Sequence, residues 1–163
     1  MIPVELLYRF PFFSFMSDKE LKAIAMIAHE VPFEPGDVVF ETNAPADSFY
    51  FLIMGRLPYY MVVTSEHLPN YHQEYFVGYI NPEEIFGISA LIEPYYYTAT
   101  MRADKPCRAI KIEAHALRAI CEVDPQLSVG LMRAVAKAAM ERLNMTRGQL
   151  VALMADAPKK MAV

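Results

Sequence analysis

The sequence predicts an α+β fold that is mainly β: an antiparallel β-roll or jelly roll of about eight strands, with one N-terminal helix and two C-terminal helices. Three observations support this class. Short apolar segments separated by turn residues occupy residues 31–112, a spacing typical of antiparallel rolls and sandwiches. Helical periodicity is confined to the two ends of the chain. Strands do not alternate with crossover helices, so a parallel sheet is not expected.

The composition indicates a globular chain without a membrane segment. The 163 residues are 55% hydrophobic and 21% charged, which suits one domain, or one domain with an appended helix. No uncharged apolar run reaches the roughly eighteen residues that a membrane span needs. The N-terminus lacks a basic start and carries Glu5 and Arg9 in its apolar stretch, unlike a secretory signal. We therefore expect a cytoplasmic protein.

Charge and metal-ligating residues exclude several function classes. A net charge of −4 argues against broad nucleic-acid binding, because that function needs a basic face to neutralise phosphates. Cys107 and Cys121 are too few for a metal framework, and we expect both to be reduced. His67 and His72 lie in a polar stretch that we interpret as a solvated loop rather than a metal site. No cofactor and no metal are predicted.

The N-terminal third begins with an aromatic segment, residues 1–16, which we expect to pack as an extended or one-turn piece. Ser17 and Glu20 then have the spacing of a capping box, in which each residue hydrogen-bonds the other's backbone at a helix start. Apolar residues at helical spacing follow, and Pro32 ends the pattern. The sequence predicts one short amphipathic helix over residues 18–30.

The middle of the chain divides into short strands. Turn residues lie at 35–37 and 43–47, and Gly55 ends another segment. The polar residues 65–73 are predicted to be a hairpin loop. The predicted strands are residues 38–40, 48–54, 57–63 and 75–80. We assign residues 17–124 to the β-roll domain.

The last fifty residues return to helical patterning. Residues 113–122 have one apolar face, and Asp124-Pro125 supplies an N-cap followed by proline at the first helical position. We predict a C-terminal helix over residues 125–157, with Gly148 as a weak point and Pro158 closing it. Its apolar stripe recurs every four residues: Leu127, Leu131, Val135, Ala139, Leu143, and further on Leu150 and Met154.

Four segments in this order resemble the cyclic nucleotide-binding domain family, over roughly residues 15–145. They are residues 35–37, 47–55, 83–87, and 86–92 with 97–103. The resemblance implies the fold predicted above and a phosphate-binding cassette, a short helix that receives the cyclic phosphate on its first amides. The cassette-equivalent residues are Phe86, Gly87, Ile88, Ser89, Ala90, Leu91, Tyr97, Thr98 and Ala99.

The chain departs from the family pattern at two ligand-binding positions. Ile88 stands where the family has a glutamate that holds the ribose, and Tyr97 where it has an arginine that pairs with the phosphate. A guanidinium makes two parallel charge-assisted hydrogen bonds to phosphate, whereas a phenol offers one neutral donor. Losing one partner of a desolvated charged pair costs about 2–5 kcal/mol. Gly87 and Thr98 still match the family. The resemblance therefore implies a degenerate site, and cyclic AMP binding in the usual pose is disfavoured.

Two interpretations of the altered pocket follow from its tyrosines. If residues 95–97 are a strand, Tyr95 and Tyr97 share a face and Tyr96 points away. The two rings either fill and seal the vacant pocket, which is the favoured interpretation, or stack on a different planar or apolar ligand.

The C-terminal helix resembles the one through which catabolite activator-like regulators form dimers. Its small residues, Ala134, Ala136, Ala138 and Ala139, would let two such helices approach closely. We therefore expect a homodimer. In those regulators a helix-turn-helix domain follows, whereas here about ten residues remain, so we expect no DNA-binding domain.

Three function hypotheses remain open. The first is a stand-alone regulatory and signalling module that acts through a protein partner or through dimer contacts. The second is weak or non-standard binding of a cyclic nucleotide or another small ligand at the same pocket, through the amides after Gly87 and through Thr98. The third is a sensor of haem or of a small apolar ligand. An enzyme is not expected, because no nucleophile elbow, Walker loop, HExxH or CxxC motif occurs.

Overall fold

Two four-stranded antiparallel sheets form the centre of the molecule in a computed structural model that describes residues 1–156. The first sheet has the strand order β1-β8-β3-β6 and the second β2-β7-β4-β5. The strands are β1 Ala28–Phe33, β2 Val38–Phe40, β3 Ser48–Met54, β4 Leu57–Ser65, β5 Leu68–Ile80, β6 Ile85–Phe86, β7 Thr100–Arg102 and β8 Cys107–Glu113. The predicted class, an antiparallel β-roll of eight strands flanked by helices, is confirmed.

Two helices and a 3-10 helix precede the sheets. They are α1 Val4–Tyr8, the 3-10 helix Pro11–Phe15 and α2 Asp18–Met26. The predicted capping box is confirmed, because the Ser17 hydroxyl accepts from the Glu20 amide and the Glu20 carboxylate accepts from the Ser17 amide. The predicted end of α2 at residue 30 is wrong. Pairing with β8 takes over from Ala28 onward, so His29 lies in a strand and not in a helix.

The aromatic N-terminal segment packs against the first sheet. The rings of Phe10, Phe12 and Phe13 lie 4.9, 5.5 and 5.0 Å from that of Phe51, a fully buried residue of β3. Such clustered aromatic rings add to the burial of apolar area that stabilises a core. The segment is therefore part of the core and is not a loose extension.

The strands β4 and β5 form a long hairpin where a loop was predicted for residues 65–73. Ser65 pairs with Leu68, so only Glu66 and His67 form the turn, and β5 runs for thirteen residues. The outer part of the hairpin is exposed, which explains its polar sequence. His67 lies at the turn and His72 on the strand. Within residues 1–156 no group of three metal-ligating side chains comes together.

The C-terminal helices follow β8 directly. They are α3 Ala114–Val123 and α4 Pro125–Asp156, and the Asp124 carboxylate caps α4 by accepting from the Leu127 amide. Gly148 does not interrupt α4. The predicted final position, residue 157, and Pro158 lie outside the described residues. No helix in residues 1–156 has the length and apolar character to cross a bilayer.

The predicted apolar stripe of α4 does not stay on one face of the helix. Leu127, Leu131 and Val135 are buried against the body, whereas Ala139 and Leu143 are exposed. Positions four apart differ by about 40° around a helix of 3.6 residues per turn, so the stripe turns away from the body as it proceeds. The stripe is therefore buried in the first part of α4 and exposed in the second.

Candidate ligand-binding site

The cassette begins at a glycine that no other residue could replace without strain. Gly87 follows β6 with φ 64°, a left-handed conformation that favours glycine, and opens the 3-10 helix Ile88–Leu91. A Cβ atom at this position would lie 3.0 Å from the Ser48 carbonyl oxygen and from the Tyr50 ring. Phe86 is fully buried and stacks on Tyr50 with ring centroids 4.8 Å apart. The start of the cassette is therefore held rigidly against β3.

The chain after the cassette is a loop and not the strand that was expected. Tyr95 has φ 61°, and β7 begins only at Thr100. Consequently Tyr95 and Tyr97 do not share a face. The Tyr95 ring lies 4.2 Å from the Arg118 guanidinium of α3, whereas Tyr97 is buried. The expectation that both rings occupy the pocket is wrong for Tyr95, because strand alternation does not apply to this loop.

Tyr97 is held by the backbone of β3. Its hydroxyl donates to the Ser48 carbonyl oxygen at 2.7 Å and accepts from the Ser48 amide at 3.1 Å. Its ring stacks on Phe40 with centroids 3.8 Å apart and an interplanar angle of 9°. Burial raises the pKa of the Tyr97 phenol well above its ordinary range. The phenol therefore stays neutral and its single proton is already committed.

A cavity of about 160 Å³ remains beside Tyr97. Six of the nine predicted site residues line it: Gly87, Ile88, Ser89, Tyr97, Thr98 and Ala99. The rest of its wall comes from Phe40, Tyr59, Met61, Met101 and Arg142. The three other predicted residues do not line it: Phe86 and Ala90 are buried and Leu91 is half-buried. Three aromatic rings and two thioethers contribute to the lining, and no carboxylate of residues 1–156 belongs to it.

Within residues 1–156, Arg142 of α4 is the one cation in this lining, and the sequence-based prediction missed it. Its guanidinium donates from Nη2 to the Ile85 carbonyl oxygen, directly before the cassette. Burial lowers the pKa of Arg142 from its ordinary value, because a low-dielectric setting disfavours the charged form. Electrostatic interactions with Tyr59, Glu84 and Glu141 act in the opposite direction and raise this pKa. None of the ion pairs found in residues 1–156 includes Arg142.

A signal for Arg142 was present in the sequence. The body-facing positions of α4 run from Leu131 and Val135 to Ala138 in steps of four and three, and the next step of four is Arg142. Farther along the same face, Gln149 donates to the Val77 carbonyl oxygen at 2.7 Å. A prediction that followed this face, instead of counting only every fourth residue, would have placed Arg142 against the cassette.

Two further contacts position the site. The Arg118 guanidinium of α3 donates to the Ala90 carbonyl oxygen at 2.7 Å, which ties α3 to the cassette helix. Gly78 of β5 leaves room for Tyr59, since a Cβ atom there would lie 3.1 Å from the phenol oxygen. Burial raises the pKa of Tyr59, although the charge of Arg142 acts in the opposite direction. Both C-terminal helices thus reach the cassette.

The cysteines do not contribute to the site. Cys107 and Cys121 are both free thiols, the first buried and the second half-buried. Burial raises the pKa of each thiol, which keeps it protonated and weakly nucleophilic.

An eight-stranded roll with a glycine-initiated cassette, a pocket beside it and a covering C-terminal helix defines a small-ligand regulatory type of domain. A sequence model of the family described as "Cyclic nucleotide-binding domain" matches residues 30–124. The chain belongs to this family, which confirms the resemblance seen in its sequence.

Known relatives agree with this assignment. A Geobacter metallireducens protein assigned to the cyclic nucleotide-binding proteins is 36% identical, with a TM-score of 0.74, and the match covers 88% of this chain and 99% of that one. A CRP-like cAMP-activated global transcriptional regulator of Mycobacterium tuberculosis is 26% identical over 159 residues. A cAMP-dependent protein kinase regulatory subunit of Dictyostelium discoideum is 25% identical over 103 residues.

The chain corresponds to only part of the two regulators. The matched region is 97% of this chain and 66% of the Mycobacterium regulator. For the Dictyostelium subunit the match is 63% of this chain and 30% of the subunit. The relatives therefore support a shared regulatory domain.

Proposed function

We propose that this chain is a regulatory module whose pocket does not bind cyclic nucleotides in the family's usual pose and whose output passes through α4. One observation supports this most strongly. At the position of the family's phosphate-binding arginine, the Tyr97 hydroxyl makes both of its hydrogen bonds with the backbone of Ser48. A cyclic phosphate could accept a hydrogen bond from the Tyr97 hydroxyl only if that hydroxyl gave up its hydrogen bond to the Ser48 carbonyl oxygen.

The expected loss of affinity is large. Removing the charged partner costs about 2–5 kcal/mol, which corresponds to roughly thirty- to several-thousand-fold in dissociation constant. Ile88 adds a half-buried apolar group at the ribose position. The cavity of about 160 Å³ is also below the roughly 300–1,000 Å³ typical of pockets for drug-sized ligands. All three features act against a nucleotide.

Calorimetric titration with cyclic AMP and cyclic GMP tests the proposal. The wild-type protein should show no saturable binding below about 100 µM. The Ile88→Glu plus Tyr97→Arg variant, checked by circular dichroism for a wild-type spectrum, should gain at least about thirtyfold in affinity. Ile88→Glu plus Tyr96→Arg is the matched control, because Tyr96 is exposed and does not line the cavity. Tight binding by the wild type would contradict the proposal.

We propose further that α4 joins two copies of the chain. Exposed residues of α4 recur at spacings that alternate between three and four residues, which is a seven-residue repeat. They lie on a different face from the buried Leu127, Leu131 and Val135. The repeat consists of Val129, Met132, Ala136, Ala139, Leu143, Thr146, Leu150 and Leu153. Every residue from Leu143 to Asp156 is exposed, although Gln149 hydrogen-bonds the Val77 carbonyl oxygen of β5. A second copy presenting the same stripe would cover these apolar residues, and the alanines allow close approach.

Light scattering after size-exclusion chromatography tests the dimer. The wild-type protein should have twice the 18.5 kDa mass of one chain. Leu143→Asp plus Leu150→Asp places two charges in the proposed interface and should give a monomer. Leu68→Asp, at the exposed first residue of β5, is the control and should leave the mass unchanged. A monomeric wild type would overturn this part of the proposal.

A second candidate function is the binding of a different small ligand, and the cavity beside Tyr97 favours it. Its wall has aromatic rings together with Arg142, a combination that packing of a sealed scaffold does not require. In either case regulation is proposed and catalysis is not. The chain's net charge of −4 gives no support for direct binding of nucleic acid.

A further inference from the structure

We propose that the cassette cavity takes a small organic anion with a flat apolar body of about one ring, and that Arg142 of α4 supplies its counter-charge. This rests on the proposed function, because it assigns a ligand class to the same pocket.

The size and lining suit one aromatic ring. The cavity volume is about 160 Å³, and an apolar cavity of roughly 150 Å³ in another protein accommodates benzene. The rings of Phe40, Tyr59 and Tyr97 form much of the wall, and the thioethers of Met61 and Met101 complete it. Flexible, polarisable methionine side chains adapt well to the edge of an aromatic ligand.

The charge comes from a guanidinium whose donors are mostly uncommitted. A guanidinium has five N–H donors, and within residues 1–156 Arg142 makes a hydrogen bond only from Nη2, to the neutral Ile85 carbonyl. No carboxylate of that part of the chain lies within ion-pair distance of it. A carboxylate ligand would therefore meet a half-buried cation that has donors left for a bidentate contact.

The two sides of Arg142 differ in charge, and this selects the side for an anion. Arg142 also lines a neighbouring cavity of about 270 Å³, whose wall includes Glu83, Glu84, Glu141 and Lys137. Three carboxylates outweigh the one lysine there and repel an anion. Of the described part of the chain, Arg142 lines the cassette cavity and no carboxylate does. An anion attracted by Arg142 is therefore favoured on the cassette side.

Benzoate and benzamide are matched probes, since they have nearly the same shape and only the first is charged. Methyl NMR of the full chain, labelled at methionine, reports binding directly through Met61 and Met101. Benzoate should shift both methyl resonances saturably below about 10 mM, and benzamide should bind at least about tenfold more weakly. This comparison uses the wild-type protein and needs no variant.

The variant Arg142→Gln should bring benzoate affinity down to that of benzamide, a loss of about tenfold or more. Arg133→Gln, at an exposed position on the same helix, should leave it unchanged. No saturable shift of Met61 and Met101, equal affinity for the two probes, or unchanged benzoate binding in Arg142→Gln would each overturn the inference. These outcomes leave the proposed function standing, because that proposal fails only on tight nucleotide binding or a monomeric chain.

Discussion

The two halves of α4 differ in what surrounds them. Residues 125–142 are anchored in the core by Leu127, Leu131 and Val135 and end at Arg142 beside the cassette. Residues 143–156 are all exposed and still carry apolar side chains, although Gln149 hydrogen-bonds the Val77 carbonyl oxygen of β5. The same helix is therefore a part of the core at one end and a largely exposed surface at the other. One continuous helix connects the lining of the cavity to that surface.

The largest effect on stability should come from removing a core side chain from residues 125–142. Leu131→Ala should lower the free energy of unfolding by about 2–5 kcal/mol, since it deletes buried methyl groups and leaves a cavity. Leu150→Ala, in the exposed half, should change the stability of the monomer by less than about 0.5 kcal/mol. Urea denaturation at protein concentrations low enough for a monomer measures both. Equal effects would remove the distinction between the halves.

The two glycines of α4 provide a second matched pair. A Cβ atom at Gly130 would clash with the Phe15 ring, whereas one at Gly148 would meet no atom of residues 1–156 within 4 Å. Gly130→Ala should therefore destabilise the protein by about 1–3 kcal/mol, because the N-terminal segment must move off the helix. Thermal unfolding should reveal this loss. If Gly130→Ala were neutral, close packing of Phe15 on α4 would be contradicted.

The cavity beside residues 125–142 of α4 gives a third prediction. Tyr97→Phe removes the hydroxyl that satisfies both backbone groups of Ser48, and should cost about 1–2 kcal/mol. Tyr96→Phe should change the free energy of unfolding by less than about 0.5 kcal/mol, as its ring is exposed. Urea denaturation of the two variants measures the difference. A neutral Tyr97→Phe would show that its hydrogen bonds add nothing to stability.

Stability at high pH tests the same hydroxyl. Burial raises the pKa of Tyr97 in the folded protein above the value of about 10 in the unfolded chain. The folded state therefore binds more protons above about pH 10, and stability falls as the pH rises further. Below about pH 10 the group adds no pH dependence. The wild type should lose stability above pH 10 more steeply than Tyr97→Phe, and parallel curves would contradict this.

The smallest effect is expected at Gly148. Gly148→Ala should stabilise α4 by about 0.5–1 kcal/mol, because alanine has the higher helix propensity and the position is open. The measurement is the helical circular dichroism signal on heating. A loss of stability would mean that this exposed position is already covered, as closely packed helices of a dimer would require.

Features that depend on a few adjacent residues were predictable. The capping box of Ser17 and Glu20 and the cap at Asp124 were both found from the sequence, because each is complete within one helical turn. Gly87 was found through the family resemblance, and its left-handed backbone explains why a glycine is needed there. The class of fold followed from the regular spacing of strands and turns.

Features that depend on distant partners were not predictable in the same way. The loop predicted at residues 65–73 is strand because β4 supplies the backbone partners, and polar residues tolerate an exposed hairpin. The end of α2 is set by β8, which pairs with Ala28 and the residues after it. Tyr95 lies outside the pocket because a left-handed turn breaks the strand alternation.

Sequence order was enough for most of the helices and strands and for the family, because hydrophobic period, caps and turn residues act over short distances. Only the folded arrangement brought Arg142 to the cassette, fifty-seven residues along the chain from Ile85, to which it is hydrogen-bonded. It also committed the Tyr97 hydroxyl to the backbone of Ser48, while the Tyr97 ring still lines the cavity. Which face of a helix meets a sheet depends on packing summed over the whole core, and no local pattern carries that information.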